Sequence, residues 1–237
     1  MSSTRRSAVL AGVFFLVAAA ASIPALALYQ PVLGDPTYVL GSGADTRVLL
    51  GALLEIVTVI AVVGTGVAMY PVVERQNRTA ALGYALGRLL EGAMISVGIV
   101  SILTVVTLRR DASGADADTL GVVQQALVAV HDWTFLLGPN VALGVNTLLL
   151  AWLMHRSGLV PRWIATLGLV GGPLIFASAI AVLLGLYEQV SAVGAVAALP
   201  VFAWEMSLAV YLVAKGFRPA TLGTDPAVRP QALPTPA

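Results

Sequence analysis

Four ionisable side chains, Glu55, Arg88, Glu91 and Glu205, stand inside long apolar stretches of this chain. An uncompensated charge at mid-bilayer costs at least about 2–3 kcal/mol, so such residues must be paired or hydrated. Three acids and one base cannot neutralise one another, and two chemistries follow. In the first, a guanidinium between carboxylates ties helices together, as interhelical polar contacts in lipid do at about 0.6 kcal/mol each. In the second, the carboxyl left over stays protonated or faces a water-filled cavity, which proton-coupled transport would need. Glu55 is the most isolated acid along the chain and is the expected surplus group.

Spacing places these groups relative to one another. Arg88 and Glu91 are three residues apart, so one face of a helix carries both. Counting back from the flanking polar residues at 1.5 Å per residue puts Arg88 and Glu205 both roughly 14 Å from the same end of their helices. Asn146 falls at about that level, with Asn140 and Glu55 farther in. The expected arrangement is an intramembrane polar cluster of Arg88, Glu91, Glu205, Glu55, Asn146 and Asn140, structural or transporting in role.

Other chemistry is thin. His131 and His155 are 24 residues apart, about 36 Å of helix, too far to share a metal or a haem. His131-Asp132 reads as a solvated pair near a helix end. There is no cysteine, and hence no disulfide, thiolate nucleophile or cysteine-ligated cluster. Phosphate-loop, nucleophile-elbow and zinc-helix motifs are missing, so no catalytic residue, metal or cofactor is expected. The net charge of +1 offers no basic stripe for nucleic acid.

The elements that must position these groups are helices. With 58% hydrophobic and 11% charged residues and a mean hydropathy of +0.91, the chain lacks the polar surface of a soluble domain. Apolar runs cover Ser7–Tyr29, Val48–Tyr70, Thr79–Leu108, Trp133–Met154, Trp163–Tyr187 and about Ala192–Ala214. Each is long enough to cross a hydrocarbon core of about 30 Å, and the third is overlong. The first resembles a signal peptide but is long enough to span, and is expected to be retained. Before the fourth run Leu120, Val123, Leu127 and Val130 recur at helical spacing, with Gln124 and Gln125 off that face. A straight continuation into the fourth run would be about 50 Å long, so a short interfacial or extra-membrane helix is expected there. Pro139, Pro173 and Pro200 are candidate kinks. The fold class is therefore all-α, a six-span bundle over residues 1–218, followed by a disordered proline-rich tail over 219–237.

Basic residues orient the bundle. The side holding the N-terminus carries Arg5, Arg6, Arg75, Arg78, Arg156, Arg162, Lys215, Arg218 and Arg229; the other carries Arg47, Arg109 and Arg110. Nine against three predicts both ends in the cytoplasm. In the hairpin Arg156, Gly158, Pro161 and Arg162, the glycine can end one helix in the left-handed region and the proline begin the next, while the arginines sit at lipid phosphates.

Three stretches resemble a family of bacterial six-helix membrane proteins known as domain of unknown function 4386. They are Arg88-Leu89-Leu90-Glu91-Gly92-Ala93, the hairpin Arg156-Ser157-Gly158-Leu159-Val160-Pro161-Arg162, and Glu205 with Leu212-Val213-Ala214-Lys215-Gly216-Phe217. Tyr70 with Asn77-Arg78 fits less well, because Glu74-Arg75-Gln76 is more polar than the pattern. The resemblance runs nearly to Arg218 and implies six helices and a bacterial inner membrane, but no activity. The sequence thus predicts an inner-membrane protein of structural or partner-binding role, its partners membrane lipids, a second copy or another membrane protein. Small-solute or proton-coupled transport is one alternative, and intramembrane lipid binding or catalysis another.

Overall fold

The computed structural model describes residues 3–41, 43–111 and 116–218. The tail expected to be disordered, and residues 112–115 of the polar loop, lie outside the described residues. Among these, six helices are long and apolar enough to cross a membrane: α1 (Ser3–Leu33), α2 (Asp45–Val73), α3 (Arg78–Asp111), α4 (Ala117–Ser157), α5 (Arg162–Leu183) and α6 (Ala192–Ala214). Apolar side chains dominate every run, and a helix satisfies its backbone internally where lipid offers no partners. The chain is a multi-pass membrane protein.

Each helix packs on its sequence neighbours, and α6 closes the ring against α1. Gly12 makes that closure possible, since a side chain there would strike the Ala209 carbonyl and Val213. Arg5 then caps the end of α6, donating to the carbonyls of Leu212 (2.9 Å) and Val213 (2.7 Å). Leu53, Ile60, Val67, Val100 and Val196 point outward, as a lipid-facing surface requires. Inside are two apolar cores. One surrounds Phe15, Met69, Tyr84, Leu150 and Trp204; the other surrounds Tyr29, Val48, Ile99 and Ile102 at the opposite end.

Several expectations change. The helix before the fourth run is continuous with it, and α4 passes through one π-helical stretch, Leu137–Ala142. Pro139 has no N–H to give, so the ladder widens there instead of breaking. Pro173 and Pro200 sit in uninterrupted helices. The inward face at the start of α4 is Leu120, Gln124, Leu127 and His131, while Val123 and Val130 are exposed. Gln124 is tolerated inside because it is satisfied: its Oε1 accepts from the Val39 N–H at 2.8 Å and its Nε2 donates to the Asp35 carbonyl at 2.7 Å. The fifth run stops at Leu183, and Tyr187 folds back to donate to Ser178 Oγ at 2.7 Å.

Candidate functional site

Where the two apolar cores meet, α3 brings in the groups that the cores cannot absorb. Arg88 and Glu91 are one turn apart and buried, and Arg88 Nη1 lies 3.2 Å from Glu91 Oε2. From α6, Glu205 Oε1 accepts from Arg88 Nη2 at 2.8 Å. From α4, Asn146 Nδ2 donates to Glu91 Oε2 at 3.0 Å. Asn146 reaches Glu91 only because Gly87 is a glycine; a methyl there would overlap the amide. The third guanidinium nitrogen, Nε, donates to the Tyr84 hydroxyl at 3.3 Å, and that hydroxyl donates on to Thr65 Oγ1 at 3.4 Å. The rings of Phe15 and Tyr84 lie 5.2 and 5.6 Å from the guanidinium carbon.

The consequence is a base committed to two carboxylates beside acids with oxygens to spare. Each nitrogen of Arg88 is bonded and its flanks are covered by rings. Glu205, whose side chain keeps 18% of its exposure, accepts no second hydrogen bond on Oε2 among the described residues. Among the described residues Glu55 joins no ion pair, and its buried Oε2 lies near the Tyr29 hydroxyl without a well-formed hydrogen bond. Asn140 likewise stays apart from the Arg88 centre.

These acids line a cavity of about 270 Å³ between α1, α2, α3, α4 and α6. Arg88, Glu91 and Glu205 lie on its wall together with Glu55, Thr58 and Asn140. Its remaining lining is largely apolar. The π-helical stretch turns Pro139 and Asn140 into it, a placement in keeping with the use of π-bulges at sites. Ile23 of α1 and Phe202 of α6 border its mouth, and both are exposed on the outer surface. The helices α1 and α6 touch near Gly12, and farther along both line the cavity.

A second charged centre was not legible in the sequence as a unit. Asp45, at the start of α2, receives Arg109 Nε at 2.7 Å and also Arg109 Nη2, and takes Arg110 Nε at 2.8 Å. The Tyr38 hydroxyl donates to it at 2.7 Å. Burial, and then the bond to the Asp45 carboxylate, push the Tyr38 hydroxyl up to about 12. The centre fastens the α1–α2 loop to the end of α3.

His131 corrects the solvated-pair reading. Its ring is buried at 3% exposure, edge-on to Tyr29 (5.7 Å) and stacked on Phe135 (6.1 Å), while Asp132 remains exposed. Burial follows from the face of α4 that turns inward. The hairpin is a packed turn: Gly158 adopts φ 66° and returns its N–H to the Met154 carbonyl, and Leu159 and Val160 insert fully into the core. Arg156 lies against Trp152, and Arg162 is exposed after Pro161. No group of three ligating side chains fit for a metal occurs among the described residues.

The family model for Domain of unknown function (DUF4386) matches residues 10–216, and the chain belongs to that family. No curated protein and no solved structure matches it.

Proposed function

We propose that this member of a family without an assigned activity holds a small amphiphile in the central cavity, by a basic or hydrogen-bond-donating headgroup. The observation that carries the reading is the pairing of an Arg88 whose every nitrogen is already hydrogen-bonded with under-used carboxylate oxygens on Glu205 and Glu55 around a 270 Å³ space. A guanidinium already held between two carboxylates has little left to offer an anionic head. Free carboxylate oxygens call for a donor, and an ammonium is the strongest one. The apolar walls suit a hydrocarbon chain, and the Ile23–Phe202 gap gives entry from the bilayer. Arg88 itself has the structural role: it joins α3 to α6 and, through Glu91 and Asn146, to α4. The basic-residue imbalance supports both ends lying in the cytoplasm, with the mouth facing lipid.

The test uses the full chain in phosphatidylcholine nanodiscs with dodecylamine and dodecanoate, which share a chain length and differ in charge. A ligand that binds only the folded state raises its melting midpoint. The amine should do so, the acid should not, and the rise should vanish in Glu205→Gln. Equal rises with amine and acid, or an amine effect untouched in both Glu205→Gln and Glu55→Gln, would overturn the reading.

A further inference from the structure

We infer that Asp132, His131 and Glu55 form a proton path leading from one end of the bundle to the central cavity. This goes beyond the ligand reading and does not depend on it.

Three spaces lie in series. A vestibule of about 500 Å³ at the end of the bundle opposite Arg5 and Lys215 is lined by His131 and Asp132, with Gln30, Glu188 and Gln189. Leu26 and Phe135 line both this vestibule and the central cavity, and form an apolar barrier between them. Beside that barrier is a void of about 10 Å³, lined by His131, Thr134 and Glu55. Its size is about that of one water, and it has the polar partners a buried water requires. His131 thus borders vestibule and void, and Glu55 borders void and central cavity.

The groups are ordered for transfer. Asp132 is exposed, and its Oδ1 lies 3.3 Å from His131 Nδ1. The other edge of the ring lies against Gly98, which lines the same void. Phe135 and Tyr29 hold the ring in place, and the buried Tyr29 hydroxyl faces the Glu55 carboxyl. A proton taken up by the Asp132 carboxylate passes to Nδ1 of His131. The imidazole releases its Nε2 proton through the water to the Glu55 carboxylate. Asp132 is again ionised, Glu55 is neutral, one proton has moved inward, and a tautomer shift of the ring resets it. The charged or titratable groups facing Glu55 are Tyr29 from α1, Arg88 and Glu91 from α3, His131 from α4 and Glu205 from α6; those facing His131 are Tyr29, Glu55 and Asp132.

The experiment is time-resolved infrared spectroscopy of the full chain in nanodiscs after release of a caged proton. The carboxylic C=O band of Glu55 is identified by its loss in Glu55→Gln. The band should rise at least about tenfold more slowly in His131→Phe, which keeps the ring stack, and more slowly in Asp132→Asn. Asp132→Asn alters an exposed side chain, so it tests the path even if His131→Phe folds poorly. A Glu55 band rising at the wild-type rate in Asp132→Asn, or in a folded His131→Phe, overturns the path, since the protons would then reach Glu55 through the cavity.

Discussion

The Arg88 centre and the Asp45 centre are built from the same parts in inverse proportion. One places a single guanidinium between two carboxylates in the middle of the bundle; the other places a single carboxylate between two guanidiniums at its end. Arg88 is 3% exposed in its side chain, whereas Arg110 is 51% exposed. Away from bulk solvent the attraction between ions is strong, and the surplus acid has only the cavity to turn to. At the end of the bundle the Arg109–Asp45 pair is also largely covered, but Arg110 is open to solvent, which screens its pair and hydrates whatever is left over. The mid-bundle centre therefore has a cavity and an unpaired Glu55 beside it, while the end centre is complete in itself and works as a fastener.

The largest break in this comparison comes from Arg88→Leu, which leaves Glu91 and Glu205 without their cation. A loss of about 3–5 kcal/mol is expected, seen as failure to recover folded protein in detergent. Replacing Arg88, Glu91 and Glu205 together by leucines should restore much of the yield, because a whole buried charge set can be exchanged for apolar packing. If Arg88→Leu is as mild as a change at the end centre, the contrast fails. Gly87→Ala comes next: the added methyl drives out Asn146 and strips Glu91 of one hydrogen bond, at about 1–3 kcal/mol in thermal or denaturant unfolding. Smallest is Asp45→Asn, at about 1 kcal/mol. The stability lost there should shrink further in high salt, whereas the Arg88→Leu defect should not respond.

The parts of this picture legible in the sequence are those set by counting along a helix. Arg88 and Glu91 share a face because they are three apart, and depth counting put Glu205 and Asn146 at their level, where both now touch them. Which face turns inward depends on how six helices arrange themselves in a ring, and no single run encodes that. Gln124 and His131 were accordingly misplaced, and Thr65 and Tyr84 gave no signal among so many apolar neighbours. The Asp45 centre was hidden for a related reason: its arginines are 64 and 65 residues away, in a helix end that reads as an ordinary basic flank.

The central claim is that the cavity beside Glu205 holds water and admits small molecules from the bilayer, while the outer wall around its mouth is sealed by lipid. Because the chain has no cysteine, a single introduced thiol reports on this directly. A thiol reacts as its thiolate and so needs water around it. Ser22 lines the cavity, and Leu53 faces outward from α2. In nanodiscs, Ser22→Cys should be alkylated by N-ethylmaleimide at least about tenfold faster than Leu53→Cys. If the two react equally slowly, the cavity is closed and dry, and the acids around Arg88 serve the fold alone.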